Sequence, residues 1–205
     1  MVSPIEPTVP TSLTCAKAFG RVLAQFHEAA SDFEAPEGSE WTRVHPLTLM
    51  GTDTSWIERL YSHSRAERKL LVDWRARAVG VISAAGQWTE LGMCHGEAYP
   101  ATCRVADDGL AIAELDWAGE GSRTYDLATF LWTLVLHAND QAEELFSQFL
   151  DEYAEVRKLP NLAGVRSYVA ARHLWSLRLA AGFVDQEGLS RRAEFASTWS
   201  LLEAG

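Results

Sequence analysis

Residues 93–128, MCHGEAYPATCRVADDGLAIAELDWAGEGSRTYDLA, form the stretch that decides the fold. An acid, Glu97, stands in a loop near its start, and a second acid, Asp116, follows an alternating two-strand pattern. Because a hairpin brings its two ends together, these carboxylates can converge on one ion or phosphate. The stretch therefore predicts a site for phosphoryl chemistry.

Short strands and a long helix frame this loop. Residues 91–95 are apolar and lie next to glycines, which predicts a strand that delivers the loop to the site. Residues 103–105 and 110–115 predict a hairpin around the Asp-Asp-Gly sequence at 107–109, since Asp-Gly supplies the positive φ that such a turn favours. Residues 125–138 are apolar on nearly every side, which predicts a buried central helix.

The residues before this stretch predict helices. Apolar residues recur at spacings of three and four over 13–30 and over 70–82, which indicates amphipathic helices. The prolines within residues 1–12 predict an extended tail. The fold class is therefore mainly α (α+β), with residues 13–205 as a single helical lobe.

The residues after the stretch complete this lobe with more helices. Asp140 and Glu143 resemble a capping box for a helix that runs through residue 159, where a proline ends it. Two further helices are predicted at 161–183 and 185–204.

Charge and cysteine content narrow the classes of partner. The 205-residue chain has a formal net charge of -10 and three cysteines. Nucleic acids and anionic membranes are held through clustered Lys and Arg, so this charge argues against both and favours a cationic ligand or a basic surface. An acidic surface kept for solubility is the alternative. The cysteines form no CxxC pair, and no signal peptide or membrane-length apolar run is evident, which predicts a reduced, cytoplasmic protein.

Taken in order, these motifs resemble those of the aminoglycoside and choline phosphotransferases, whose fold is that of protein kinases. The signature of that family is a loop H-G-D-x-x-x-x-N, a short hairpin, an aspartate between an apolar and an aromatic residue, and a Y-D-L-A helix start. Residues 95–102 read HGEAYPAT, residues 115–117 read LDW, and residues 125–128 read YDLA. Residues 23–27, LAQFH, resemble the end of the first helix of the family's C-terminal lobe. The resemblance implies the helical C-terminal lobe of a kinase-like fold, with a small β-hairpin carrying the catalytic loop.

The resemblance implies catalytic and metal-binding roles for three residues. Asp116 matches the aspartate that holds Mg²⁺ between the nucleotide phosphates. Glu97 stands where the family has the aspartate that orients the acceptor hydroxyl and takes its proton. Thr102 stands where the family has a metal-binding asparagine. An active enzyme would then use Mg²⁺ and ATP, held by Asp116 and Thr102, and an inactive one would use no cofactor.

The same resemblance implies structural roles for three more residues. His95 and Gly96 belong to the catalytic-loop motif, in which the histidine braces the loop. Asp126 is similar to a helix-start acid that ties down neighbouring backbone donors. The other histidines lack the spacing of metal ligands, and we expect them to be packing or surface residues: His27, His45, His63, His137 and His173.

The two residues nearest the chemistry depart from the family pattern. Glu97 is one methylene longer than aspartate, and a misplacement of that size can lower a rate by about a hundredfold. Thr102 offers a neutral hydroxyl, which binds cations more weakly than an amide oxygen. Glu114 or Glu120 is an alternative ligand.

The residues before His95 lack the motifs of a nucleotide-clamping lobe. They contain no G-x-G-x-x-G sequence, and their two lysines, Lys17 and Lys69, lie in helical patterns. A kinase-like enzyme needs a glycine-rich turn and a strand lysine to clamp ATP. We therefore expect the N-terminal lobe to be absent, and a protein partner or a second copy of the chain to cover the apolar surface left behind.

Two functions remain open. In the first, a truncated kinase works within a complex and transfers the ATP phosphate to a hydroxyl of a small molecule or peptide in a bacterial biosynthetic or resistance pathway. In the second, the chain is a catalytically dead pseudokinase that serves as a binding or scaffold subunit. We expect the isolated chain to be inactive, and any ligand to lie in a cleft between Tyr99, Trp117 and the acids.

Overall fold

The computed structural model describes residues 12–34, 43–44, 51, 53–60, 64–84, 91–106 and 109–180. The chain divides into two compact units, the first made of residues up to 45 and 88–165, the second of residues 46–87 and from 166 onward. Within the described ranges no helix is long and apolar enough to cross a bilayer. The tail before Ser12, the Asp-Asp pair of the hairpin turn and the helix predicted at 185–204 lie outside these ranges.

The first helix of the first unit, α1, covers Leu13–Ala29. Ser12 caps it, because its hydroxyl accepts a hydrogen bond from the Cys15 N–H at 3.2 Å. Ser12 therefore belongs to the helix start and not to the predicted tail. The apolar positions of the sequence pattern face inward, and Phe19 and Leu23 are fully buried.

Helix α1 packs against a later helix, Ala142–Ala154, which is α5 in chain order. A side chain at Gly20 would overlap the Phe149 carbonyl, so the two backbones touch there. The Phe19 ring lies 5.1 Å from the Phe130 ring and 5.8 Å from the Phe149 ring, centroid to centroid. These aromatic rings form the centre of the core of the first unit.

The central helix of the first unit, α4, covers Arg123–His137 and supplies Phe130 to that core. It is buried over most of its length, as its uniformly apolar sequence predicts. Its first turn contributes the buried side chains of Arg123 and Asp126, which face the candidate site.

Three short strands form one small sheet in the order β1–β5–β2. Strand β1, Arg43–Val44, runs parallel to β5, Gly119–Ser122, and β2, Leu91–Cys94, runs antiparallel to β5. The sequence pattern indicated only β2, since the Gly-Glu-Gly-Ser sequence of β5 has no strand periodicity. Strand β2 delivers the chain directly to His95.

A separate hairpin follows the candidate catalytic loop. Its strands are β3, Cys103–Ala106, and β4, Gly109–Ile112, paired antiparallel with Cys103 opposite Ile112. The second strand ends earlier than predicted because Glu114 adopts a left-handed conformation, φ 58° and ψ 58°, which turns the chain out of the ladder. A single 3-10 turn over Leu115–Trp117 then carries Asp116.

The second unit contains α2, Ser55–Leu60, α3, Arg65–Ala84, and most of α6, Val165–Ala180. The Asp53 carboxylate accepts a hydrogen bond from the Ser55 N–H at 2.9 Å and so caps α2. Between α3 and α6, the rings of Trp74 and His173 meet edge to face at 6.5 Å.

The predicted capping box of α5 is wrong. Asp140 lies inside a 3-10 turn, Asn139–Gln141, and the helix begins only after it, with Gln141 at the cap and no side-chain hydrogen bond. The helix also ends at Ala154, before the predicted residue 159, because the chain turns there.

Candidate active site

A buried carboxylate, that of Asp126, holds the start of the candidate catalytic loop. Its Oδ2 accepts a hydrogen bond from the His95 N–H at 2.6 Å, and its Oδ1 accepts one from the Gly96 N–H at 2.9 Å. Asp126 has no solvent exposure. A carboxylate bonded to two successive N–H groups fixes both peptide planes, so Asp126 sets the direction in which the loop leaves β2.

Asp126 is itself held by a buried histidine of α1. The Nε2 of His27 lies 3.0 Å from the Asp126 Oδ2, and its Nδ1 lies 2.8 Å from the Tyr153 hydroxyl of α5. All three side chains are fully buried. Burial lowers the pKa of His27 from its ordinary value near 6.5, although the Asp126 carboxylate opposes this. The ring is therefore neutral, with Nε2–H donating to Asp126.

Gly96 brings the loop into contact with the turn that carries Asp116. Its backbone is left-handed, with φ 80°, and a side chain there would overlap the Trp117 carbonyl. Only glycine satisfies both conditions. Glu97 follows Gly96 and Asp116 precedes Trp117, so each acid is one residue away from this contact. The structure therefore brings together the two backbone segments that carry the predicted catalytic acids.

The His95 ring joins the loop to the exit of the hairpin. Its Nε2 lies 2.8 Å from the Ala113 carbonyl, and its Nδ1 lies 3.2 Å from the Glu97 N–H. A neutral ring with its proton on Nε2 satisfies both partners, since Nε2–H then donates and Nδ1 accepts. His95 has no solvent exposure, and its contacts bridge the loop and the segment after β4.

Thr102 lies at the end of the loop, and its hydroxyl is engaged with the backbone. The hydroxyl donates to the Tyr99 carbonyl at 2.8 Å and lies 3.4 Å from the Glu97 carbonyl, and the residue is 1% exposed. A cation would have to displace these contacts. The geometry favours a role for Thr102 in closing the loop, and metal binding by Thr102 stays a prediction.

Asp116 is the exposed acid of the 3-10 turn, and metal binding by Asp116 stays a prediction. Among the described residues, no three His, Cys, Asp or Glu side chains form a metal-binding group. Mg²⁺ usually takes one or two protein carboxylates and fills its remaining positions with water and substrate phosphates, so a lone Asp116 fits that cation. Of the alternative ligands, Glu114 is paired with Arg104, and Glu120 lies on β5 opposite Met93.

Arg123 introduces a buried positive charge next to strand β2. Its guanidinium lies against Gly92 of β2, where a side chain on the glycine would overlap it. Arg123 is 6% exposed, and within the described ranges its Nε has no hydrogen-bond partner. Burial and the Asp126 charge raise the pKa of the Cys94 thiol, and the Arg123 charge opposes this rise. Cys94 is therefore a neutral core thiol.

A pocket of about 340 Å³ lies beside the three-stranded sheet. Its lining comes from the chain that follows α1 and from β2 and β5: Ser31, Phe33, Glu34, Leu91, Gly92, Met93 and Glu120. Neither Glu97 nor Asp116 lines it, so it is not the predicted cleft next to Tyr99 and Trp117.

Sequence reasoning missed the contributions of His27, Tyr153 and Arg123. His27 was expected to be a packing or surface residue because it lacks metal-ligand spacing, and the structure makes it a buried hydrogen-bonding link. A signal was present in the position of His27 at the inward-facing end of an amphipathic helix. Tyr153 gave no comparable signal, since it lies 126 residues from its partner in the sequence.

Comparison with known proteins gives a relative of similar sequence. No protein-family model matches the chain. An uncharacterized protein of Deinococcus radiodurans is 32% identical over 178 residues, which are 84% of this chain and 51% of that protein. The chain therefore spans about half the length of this curated relative.

Solved structures of small-molecule kinases share the fold. A microcompartment-associated aminopropanol kinase superimposes with a TM-score of 0.77 at 20% identity, over 97% of this chain and 64% of that one. An amicoumacin kinase in complex with AMP-PNP, Ca²⁺ and Ami gives 0.69 at 12% identity, over 94% and 60% of the two chains. A choline kinase from Cryptosporidium parvum gives 0.67 at 8% identity, over 98% and 68%. The predicted fold, mainly α with the helical C-terminal lobe of a kinase-like enzyme, is confirmed.

Proposed function

We propose that this chain, which has the fold of a kinase C-terminal lobe, carries the catalytic half of a small-molecule phosphotransferase. The reaction is transfer of the ATP γ-phosphate to a hydroxyl group, within a bacterial biosynthetic or resistance pathway. The observation that carries the proposal is the contact of Gly96 with the Trp117 carbonyl, because it holds the segments of Glu97 and Asp116 against each other.

The roles of the two acids follow from what phosphoryl transfer requires. The bound Mg²⁺ would supply positive charge that neutralises the phosphates, and Asp116 would be its protein ligand. Glu97 would orient the acceptor hydroxyl and take its proton as the oxygen attacks phosphorus. Asp126 holds the N–H groups of His95 and Gly96, and the His95 ring accepts a hydrogen bond from the Glu97 N–H, so the backbone leading into Glu97 is preorganised before substrate binds.

The net charge of the chain suggests the chemical class of the phosphate acceptor. The net charge of -10 favours a cationic ligand, and aminopropanol and choline, named for two of the structural neighbours, are amino alcohols. We therefore take a small cationic hydroxyl compound as the first acceptor to test, with a peptide hydroxyl as the second.

A nucleotide-clamping lobe completes the site in this proposal. It is contributed by a protein partner, a second copy of the chain or further polypeptide, and we expect the C-terminal lobe alone to be inactive. The three free cysteines suit a reducing compartment, so we place the assembly in the cytoplasm.

A pseudokinase scaffold is the second candidate, and one observation favours it. The Thr102 hydroxyl is buried on the Tyr99 carbonyl, at the position where the family has a metal-binding asparagine. A site with only one metal-binding side chain holds Mg²⁺–ATP more weakly, and the lobe would then persist for binding partners.

Titration of AMP-PNP into the protein, purified with any chain that accompanies it, separates the two candidates. The phosphotransferase predicts calorimetric binding that requires Mg²⁺ and is lost in Asp116→Asn. Asp151→Asn is the matched control, because Asp151 is an exposed acid on α5. Absence of Mg²⁺-dependent binding, or equal binding by both variants, would favour the scaffold.

A further inference from the structure

A continuous chain of buried hydrogen bonds connects α5 to the candidate catalytic loop. It runs from the Tyr153 hydroxyl to His27 Nδ1 at 2.8 Å, from His27 Nε2 to Asp126 Oδ2 at 3.0 Å, and from the same Oδ2 to the His95 N–H at 2.6 Å. All four residues are fully buried, so water cannot replace any of these bonds.

The chemistry of each group fixes the direction of the chain. The ionised Asp126 only accepts hydrogen bonds, so His27 must carry its proton on Nε2. The Nδ1 of the neutral ring is then an acceptor, and the Tyr153 hydroxyl must donate to it. Asp126 therefore fixes the tautomer of His27, and Tyr153 provides the donor that Nδ1 then requires.

The charges around His27 come from two sides. From α4 it faces the Asp126 carboxylate and the positive charge of Arg123, and from the α5 side it faces Tyr153 and the positive charge of Arg157. Burial lowers the pKa of His27, and burial raises the pKa of Tyr153 well above its usual range. Both groups are uncharged near neutral pH. The Tyr153 hydroxyl and the His27 Nε2–H are then neutral donors, and the series of hydrogen bonds ends on the Asp126 carboxylate.

A proton added to His27 would alter the bonds that hold the loop. A charged imidazolium binds a carboxylate more strongly than a neutral ring does, and it would compete with the His95 N–H for the same Oδ2. The Tyr153 hydroxyl opposes this step, because it donates to Nδ1, the nitrogen that would take the proton, and would have to turn and accept a hydrogen bond instead.

We propose that Tyr153 is a positioning residue for the candidate catalytic loop, acting through His27 and Asp126 by keeping the histidine neutral. That the positioned loop is catalytic rests on the proposed phosphotransferase function. The positioning itself is a property of the folded chain and is measurable without substrate.

The test compares Tyr153→Phe with the wild-type protein by NMR, following the amide resonances of His95 and Gly96 from about pH 5 to about pH 8. We expect both amides to be independent of pH in the wild-type protein. In Tyr153→Phe we expect both amide resonances to shift and to titrate. The midpoint of their titration should equal the midpoint at which the ring resonances of His27 titrate.

Two further variants make the result specific. Thr133→Val removes another buried hydroxyl, which donates within α4 to the Thr129 carbonyl, and we expect it to leave both amides unchanged. His27→Gln combined with Tyr153→Phe removes the titrating ring, and we expect it to abolish the pH dependence. Amides in Tyr153→Phe that match the wild-type protein and do not titrate would overturn the proposal.

The outcome is independent of the proposed function. Titrating loop amides in a protein that transfers no phosphate would support the positioning role of Tyr153 and count against the phosphotransferase. A second outcome is phosphate transfer whose pH–rate profile has the same acid limb in Tyr153→Phe as in the wild-type protein, together with unshifted loop amides. That outcome would support the phosphotransferase and overturn the role of Tyr153.

Discussion

Asp126 Oδ1 accepts a hydrogen bond from the Gly96 N–H at 2.9 Å, across 30 residues of sequence. This bond ties the first turn of the central helix to the one glycine that lets the catalytic loop contact the Asp116 turn. Asp126 and Gly96 are thus the two residues on which the geometry of the candidate site depends most.

Asp126→Asn should destabilise the fold strongly. Its amide nitrogen would face one of the N–H donors that now bond to Asp126, so a buried donor would be left without an acceptor. A hydrogen bond to a charged group contributes about 1.5–3 kcal/mol, and a buried donor left unpaired costs about 1–3 kcal/mol. Urea unfolding checks this, and the exposed control Asp151→Asn should stay within about 0.5 kcal/mol of the wild-type protein. A small effect for Asp126→Asn would show that the network contributes little.

Gly96→Ala should lower both stability and any activity. The left-handed backbone costs a non-glycine residue about 1–3 kcal/mol, and the overlap with the Trp117 carbonyl adds a similar amount. Gly80→Ala is the matched control, since nothing lies within 4 Å of that site in helix α3. The control should gain about 0.5–1 kcal/mol. Equal behaviour of the two variants in thermal unfolding would contradict the close approach.

Gly20→Ala tests the contact between α1 and α5. Alanine favours a helix over glycine by about 1 kcal/mol, but its methyl group would overlap the backbone carbonyl of Phe149, which cannot rotate away. Overpacking of this kind costs about 1–3 kcal/mol, so we expect net destabilisation. A gain in the denaturant midpoint, like that expected for Gly80→Ala, would mean that the helices separate easily.

Stability should fall as the pH is lowered past the ordinary histidine pKa. The pKa of His27 is lower in the folded protein than its unfolded value near 6.5, so the unfolded chain binds the extra proton. The stability from neutral His27 is therefore complete above about pH 6.5 and declines below it. The wild-type protein should lose unfolding free energy more steeply than His27→Gln between about pH 6.5 and about pH 5. Parallel curves for the two proteins would exclude His27 as the source.

The sequence predicted the elements whose signals are local. The HGE loop, the hairpin and the buried YDLA helix were identifiable because periodicity and motif order mark them, and the structure contains all three elements. Two contacts could not be predicted from the sequence, because each joins distant residues without a local pattern. They are the parallel pairing of Arg43 with Glu120 and the hydrogen bond between Tyr153 and His27. The wrong prediction of a capping box at Asp140 shows the limit of a local rule. Asp140 lies in a 3-10 turn that precedes the helix, so its side chain is not at the helix cap.

In the proposed function, Asp116 and Glu97 form one half of a phosphotransfer site. The most direct measurement is ³¹P NMR of the purified protein, with any accompanying chain, incubated with Mg²⁺–ATP and a set of amino alcohols that includes aminopropanol and choline. We expect a new phosphomonoester signal with at least one acceptor, retained in Asp151→Asn and lost in Asp116→Asn. No phosphomonoester with any acceptor, or an equal signal from Asp116→Asn, would contradict it.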